Sequence, residues 1–441
     1  MQSRGLLIAA LLAALLGGGV WYSNKLEKDK ESKPPADGSA KLIDLPEDQF
    51  QKLEIAKAGQ APVILQRTSG KWSVTAPIPT SADPEAVSSM VSTLSSFTTD
   101  KLVEEKAADL APFGLTSPSL RVTITKTDGK TQKLLIGDET ATSGGFYAKL
   151  DNDPRVFTIY SYNRASIDKS WKDVRDKRLL TFDNDKVSRV EVVAKNQTVE
   201  FGKNSVGEWQ ILKPAPYRAD NLQVEEIVRK LKDAKMDVSA PEEEAAKSAG
   251  LFSAGTPVAT AKVTDASGTQ QLEIRKNKED YFAKSTAIEG VYKVAKDLGE
   301  GLDKNVEDLR NRKLFDFGFN DPTRIDIRDG ANSVSLAKSG EDWTRGGKKL
   351  DSPGVQSAID KLRDLSSIKF LTTGFTEPVF EATVVSSGGK RTEKVLISKS
   401  GNSWIARRDG EPALYELDGK AVEELQQALA AIKEAASPAK K

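Results

Sequence analysis

The feature that most constrains the fold is an internal repeat with a period of a whole domain. Three Trp residues stand in similar surroundings, in "SGKWSVTAP", "VGEWQILKP" and "GEDWTRGGK". They are Trp72, Trp209 and Trp343, and their spacings are 137 and 134 residues. Such a long period predicts three tandem domains, each with its own core, rather than a thin solenoid. We call each repeat a module and expect its Trp to lie in the module core.

A helical pattern follows each Trp. Counted from the Trp, positions +15, +19 and +22 are apolar in every module, a spacing that places them on one helix face. These positions are Val87, Val91 and Leu94, then Val224, Val228 and Leu231, and then Ala358, Leu362 and Leu365. Asp83, Asp220 and Ser352 precede the three patterns and are expected to cap the helices.

Alternating apolar and polar residues after each helix predict hairpins. In "SLRVTITKTDGKTQKLLIG" the alternation runs on both sides of Asp128-Gly129, a strong turn pair. A second hairpin follows, and two strand patterns precede each Trp. We therefore predict an α+β fold in which each module is an antiparallel sheet with one packed helix, in the order β-β-β-α-β-β-β-β.

Eleven residues recur at the two junctions between modules, as "KDVRDKRLLTF" (172–182) and "EDLRNRKLFDF" (307–317). We interpret them as module connectors whose Leu and Phe are buried and whose Arg pairs with an acid or caps carbonyls. The alternative is a basic ridge that contacts anionic lipid, polysaccharide or a partner. The matching residues are Asp173, Arg175, Lys177, Arg178, Leu179 and Phe182, and Asp308, Arg310, Arg312, Lys313, Leu314 and Phe317. The third module ends in a helix with no following module, and the motif is absent there.

The N-terminus predicts one transmembrane helix. Residues 5–22 are uncharged and mostly apolar, long enough as a helix to cross a bilayer, and they end in Trp21-Tyr22. A cleaved signal peptide is the alternative. Residues 23–40 form a polar linker and 437–441 a tail, so the modules are expected at 41–180, 181–315 and 316–436.

This segment predicts a single-pass protein of the cytoplasmic membrane, with the bulk of the chain extracytoplasmic. Lysines after the segment outnumber the basic groups before it, so the flanking charge argues for the opposite orientation and leaves orientation unsettled. The partner expected from this segment is the cytoplasmic membrane, through residues 5–22.

Composition removes several function classes. The 65 basic and 64 acidic residues give a net charge of +1, so the chain has no strong positive electrostatic field that would attract nucleic acid. Without Cys or His, disulfides, thiolate sites and the commonest general base are excluded. With no nucleotide-binding or nucleophile motif, we expect no enzyme, cofactor or metal site; a carboxylate-based enzyme is the least favoured alternative. Tyr160, Tyr162 and Trp171 lie outside the repeat pattern and are candidate surface contacts.

The chain resembles a bacterial family, domain of unknown function 4340. The resemblance rests on the anchor, the order of Trp, helix, "G-[LF]-x-x-P" and hairpin, "IGD" (136–138) followed by "GFYAKL", and the connector motif. It implies a single-pass envelope protein of the bacterial inner membrane, with the bulk of the chain periplasmic and an envelope protein as partner. Members are often associated with ABC-type transport components of the gliding-associated kind. The resemblance supplies no site residues. A scaffold or binding protein accessory to such a complex is therefore expected, with an envelope polysaccharide- or lipid-binding protein as the alternative.

Overall fold

The computed structural model describes residues 41–141, 144–240, 242–318 and 322–435. The predicted anchor (5–22), linker (23–40) and tail (437–441) lie outside the described residues. Within these ranges no helix has both the length and the apolar content needed to cross a bilayer. By contacts the chain divides into two compact units, the first ending at Lys177 and the second beginning at Arg178.

The first unit holds one nine-stranded antiparallel sheet in the order β4-β3-β2-β1-β6-β7-β8-β9-β5. Its strands are β1 (Phe50–Lys57), β2 (Val63–Thr68), β3 (Lys71–Ala76), β4 (Thr80–Ser81), β5 (Lys101–Glu104), β6 (Leu120–Lys126), β7 (Thr131–Glu139), β8 (Gly145–Leu150) and β9 (Val156–Tyr160). Its helices are α1 (Pro84–Ser95), α2 (Ser161–Ile167) and α3 (Trp171–Val174).

The second unit holds two further antiparallel sheets. The sheet of module 2 has eight strands in the order β13-β12-β11-β10-β14-β15-β16-β17. They are β10 (Arg189–Ala194), β11 (Gln197–Lys203), β12 (Trp209–Lys213), β13 (Tyr217–Arg218), β14 (Thr256–Asp265), β15 (Gly268–Asn277), β16 (Asp280–Ser285) and β17 (Val291–Val294). The helices are α4 (Asn221–Lys232), α5 (Glu242–Ala245), α6 (Ser248–Ser253), α7 (Lys296–Leu302) and α8 (Val306–Leu309).

Module 3 returns to nine strands, in the order β21-β20-β19-β18-β23-β24-β25-β26-β22. They are β18 (Arg324–Asp329), β19 (Asn332–Ser339), β20 (Asp342–Arg345), β21 (Lys348–Lys349), β22 (Ser367–Leu371), β23 (Pro378–Ser386), β24 (Arg391–Ser400), β25 (Ser403–Arg408) and β26 (Leu414–Leu417). The helices are α9 (Ser352–Asp364) and α10 (Gly419–Ala430).

Three antiparallel sheets with packed helices confirm the predicted α+β class and the repeated sheets. The predicted element order is wrong in detail. Four strands precede the main helix of each module, because a two-residue strand (β4, β13 or β21) turns back beside the Trp strand. Each module also carries more than one helix. A two-residue strand is too short to show an alternating pattern, so the sequence could not reveal it.

The helix register counted from Trp343 is also wrong, by three residues. Helix α9 is capped by the Asp351 side chain, which accepts from the Gly354 N–H at 2.8 Å, and Ser352 is already the first helical residue. Leu365 therefore follows the end of α9 instead of lying in its stripe. The buried residues of α9 are Val355, Ala358, Ile359 and Leu362. The cause is a shorter turn between β20 and β21, built on Gly346-Gly347 with φ of 58° and 80°.

Each module has a separate hydrophobic core. The three core clusters begin and end at Leu42 and Val174, at Leu179 and Leu309, and at Leu314 and Ile432. Trp209 and Trp343 are buried in the second and third clusters, whereas Trp72 is half-buried against the first. The exact module boundaries at 180/181 and 315/316 stay predictions.

Candidate functional site at the module junctions

The second connector (307–317) makes main-chain hydrogen bonds with both modules of the second unit. On the module 2 side it bonds the segment before helix α4, and on the module 3 side the segment after helix α9. The bonds are Asp220 N to Leu309 O (2.9 Å), Asn311 N to Arg218 O (2.9 Å), Leu314 N to Leu365 O (2.9 Å) and Ser367 N to Arg312 O (2.8 Å). Paired on both sides, the connector joins the two modules through its backbone.

Arg310 joins the same two modules through its side chain. Its guanidinium carbon lies 4.0 Å from the ring centroid of Tyr217, in module 2, and 3.5 Å from that of Phe370, in module 3. Arg310 is only 7% exposed, and its Nη1 donates to Glu307 at 3.1 Å. A desolvated guanidinium attracts the electron-rich ring faces on both sides, so this stack stabilises the junction.

A network of charged side chains surrounds the rest of the connector. Arg218 of module 2 contacts the connector's Asp316 at 2.5 Å. Arg408 of module 3 contacts Glu393 at 3.1 Å and Glu411 at 2.8 Å. Burial disfavours the Arg408 charge, but Glu411 and Glu393 outweigh it and raise the pKa of Arg408. The Arg408 guanidinium therefore stays charged and paired with these two carboxylates.

A polar cleft of about 260 Å³ opens at this junction. It is lined by Glu208, Trp209, Arg218, Asn311, Asp316 and Arg391, among others. Arg391 pairs with Glu208 and also donates to the Asp316 carbonyl at 3.0 Å. Because the arginines here face carboxylates, the cleft presents a balanced set of ion pairs between modules 2 and 3.

Tyr415 lies in the same region but is poorly suited to act as a base. Its hydroxyl donates to Glu411 at 2.9 Å. Burial, reinforced by the Glu411 charge, raises the pKa of Tyr415 to about 12, so the phenol is neutral at ordinary pH. In the part of the chain that the structure describes, no cluster of three or more acidic, His or Cys side chains could hold a metal ion.

The first connector (172–182) has counterparts of three of the second connector's four main-chain hydrogen bonds, two before Lys177 and one after it. In the first unit, Asp83 N donates to Val174 O and Asp176 N donates to Ser81 O, both at 2.8 Å. In the second unit, Leu179 N donates to Ala234 O at 2.8 Å.

The predicted connector residues have distinct placements. Leu179, Phe182, Leu314 and Phe317 are buried, Arg175, Lys177, Arg178 and Arg312 are half-buried, and Lys313 is exposed. Exposed Asp173 and Asp308 form capping boxes with Ser170 and Asn305 at the starts of α3 and α8. Arg175 stacks over Trp171, at 5.2 Å from the ring centroid, and Arg312 donates to the Ile368 carbonyl at 3.0 Å.

Each connector consists of two parts that recur separately, which the sequence pattern did not reveal. The "start segment" (178–182 or 313–317) pairs with residues after the main helix of the module that it begins. The "end segment" (174–176 or 309–311) pairs with residues before the main helix of the module that it ends. Residues 41–45, "KLIDL", are a third start segment: Leu42 N donates to Phe97 O at 2.7 Å, and Lys41 bridges Thr98. Their similarity to "RLLTF" (178–182) and "KLFDF" (313–317) was the available signal.

Module 3 ends in a third end segment, residues 433–435. Asp351 N donates to Lys433 O at 3.0 Å, and Ala435 N donates to Lys349 O at 2.9 Å. At the position of Arg310 stands Glu434, which pairs with Lys348 at 2.8 Å. The third end segment therefore carries a glutamate where the second connector carries its arginine.

The family model described as "Domain of unknown function (DUF4340)" matches residues 72–211 and 209–382 of the chain. The chain belongs to this family. No curated protein and no solved structure matches it.

The DUF4340 matches are offset from the modules. Each begins at a module Trp, Trp72 or Trp209, and the first ends inside β12, just beyond the Trp of the next module. A match therefore contains the main helix, the hairpins, a complete connector and the first strands of the next module. The second match includes Arg310, Tyr217 and Phe370, all three members of the stack at the junction.

Proposed function

We propose that this DUF4340 chain is a membrane-anchored extracytoplasmic scaffold or binding protein, accessory to an ABC-type transport complex. The single observation that carries the proposal is the junction of modules 2 and 3. There the conspicuous charged groups bind each other and the connector backbone. A scaffold must present its modules in a fixed arrangement, and this junction supplies it for modules 2 and 3.

The burial of Arg310 favours a scaffold over a polysaccharide- or lipid-binding ridge. A ridge would need its arginines at the surface, free to meet phosphate or carboxylate groups. Arg310 is 7% exposed and stacked between Tyr217 and Phe370, so reaching an external polyanion would require breaking the junction. The alternative function has less support for this reason.

Two exposed apolar residues near the junction are suited to detect a partner. Leu222 is 76% exposed at the start of α4, and Ile368 is 61% exposed in β22, beside Phe370. A photo-crosslinking amino acid at either position of the full chain, irradiated in intact host cells, should give a discrete adduct with one membrane protein. Mass spectrometry of the adduct identifies the partner and tests the proposed transport complex.

The same experiment in the Arg310→Ala variant tests whether the junction matters. When both proteins are present at the same amount, loosening the junction should reduce the yield of adduct at Leu222 and Ile368. The control variant Lys313→Ala, which changes an exposed residue of the same connector, should not reduce it. A membrane-bound chain that gives no adduct at either position, or only adducts with itself, contradicts the proposal.

A further inference from the structure

One edge of the module 1 sheet exposes a group of apolar and aromatic side chains. On β5, Leu102 is 38% and Val103 41% exposed. At the end of the adjoining β9, Tyr160 is 44% exposed, and Tyr162, in α2, is 61% exposed. The two tyrosine rings stack at 5.2 Å with an interplanar angle of 11°. We call these four residues the edge patch. Strands β5 and β9 pair directly, with Lys101 opposite Thr158.

The edge patch lies where the chain enters module 1. Lys41, the first described residue, bridges Thr98, three positions before the start of β5. The described part of module 1 therefore begins at this edge. The predicted linker of 18 residues (23–40) spans at most about 65 Å even when fully extended. A bilayer that held residues 5–22 would thus stay within reach of this edge.

The chemistry of the edge patch fits the boundary between lipid headgroups and acyl chains. Tyrosine has an apolar ring and a polar hydroxyl, and it is enriched at that boundary, while Leu and Val side chains insert below it. The charges on this edge are mixed, since Lys41 and Lys101 are accompanied by Asp100 and Glu104. Contact should therefore depend on apolar insertion more than on attraction to anionic lipid.

We propose that the edge patch docks module 1 on the surface of the bilayer that holds residues 5–22. This inference rests on the proposed membrane anchorage. Tethering raises the local concentration of lipid at the patch, so four side chains suffice where free binding would be weak. The edge strand β5 is then the membrane-proximal side of module 1.

The absence of Cys from the sequence makes a site-specific test direct. A spin label is attached at Val103→Cys in the full chain, reconstituted into phosphatidylcholine vesicles. The matched control is Ile78→Cys, 47% exposed and next to β4 at the opposite edge of the same sheet. The measured quantity is the ratio of collisions with a water-soluble nickel reagent to collisions with oxygen. We expect this ratio to be several-fold lower at position 103 than at position 78.

The double substitution Tyr160→Ser and Tyr162→Ser should restore nickel access at position 103 without lowering Tm. If both labels stay aqueous while the chain resists carbonate extraction, docking is wrong and anchorage stands. If carbonate releases the chain, anchorage and docking both fail.

Two further results also overturn docking by insertion. One is shielding that appears in detergent with rising protein concentration, which indicates a second copy. The other is shielding that needs phosphatidylglycerol and vanishes in high salt.

Discussion

At the scale of single residues, Arg310 is the side chain on which the junction depends most. Its guanidinium contacts one aromatic ring from each of two modules. We expect Arg310→Ala to destabilise the second unit by about 2–4 kcal/mol, because it removes two desolvated cation–π contacts and leaves a cavity. Urea unfolding followed by circular dichroism measures the loss. Arg310→Lys should give an intermediate loss, and Lys313→Ala a change within about 0.5 kcal/mol. Equal losses for Arg310→Ala and Lys313→Ala would show that the stack contributes nothing.

Gly137, in the "IGD" of β7, is required by a close approach of backbone. A Cβ at this position would lie 2.0 Å from the carbonyl oxygen of Phe113, the last residue of the 3-10 turn Ala111–Phe113. Gly137→Ala should therefore destabilise the first unit by about 1–3 kcal/mol, since one of the two segments must move. Gly250→Ala, in α6, is the matched control, because its Cβ would meet nothing within 4 Å. Thermal unfolding of both variants compares them, and a Gly137→Ala protein as stable as the parent contradicts the clash.

At the scale of elements, a turn carboxylate fixes the start of module 2 to the β14–β15 hairpin. Asp265 accepts from the Ser267 hydroxyl at 2.6 Å and backbone N–H at 2.8 Å, and from the Asp183 N–H at 2.6 Å. These bonds lower the pKa of Asp265 from 3.8 to about 2. The stabilisation is thus complete above about pH 3.8 and is lost as the pH falls from there towards 2.

The Asp265→Asn variant should consequently lose most of the pH dependence that this carboxylate adds between pH 4 and pH 2. Unfolding midpoints in urea across that range measure it. Glu279→Gln, which alters an 87% exposed carboxylate of the same module, should leave the pH profile close to that of the parent. Parallel profiles for the parent and Asp265→Asn would mean that the turn does not titrate as described.

Long periodic elements were predictable from the sequence, and short or register-dependent ones were not. Hairpin β6–β7 follows from alternation around Asp128-Gly129, since side-chain periodicity alone determines it. The predicted register of α9 was wrong because the Gly346-Gly347 turn reduces the number of residues between Trp343 and the start of α9. Only the backbone geometry reveals this shorter turn. Of the junction, the sequence identified the connector and its buried Leu and Phe. The partners Tyr217 and Phe370 come from distant strands and carried no signal.

At the scale of the whole molecule, the contacts predict which modules unfold together. Modules 2 and 3 share a connector bonded on both sides, a buried arginine stack and the ion pairs around Arg218 and Asp316. Coupling of this kind makes neighbouring cores unfold as one cooperative unit, even though each has its own hydrophobic cluster.

A fragment of residues 178–435, beginning where the second unit begins, should therefore show one calorimetric transition with equal calorimetric and van't Hoff enthalpies. Arg310→Ala in this fragment should separate the transition into two, because it weakens the coupling while leaving both cores intact. The Lys313→Ala fragment should keep a single transition at nearly the parent Tm. Two transitions already present in the parent fragment would mean that the modules fold independently. The junction would then link two domains without fixing them, and the scaffold would lose its main physical support.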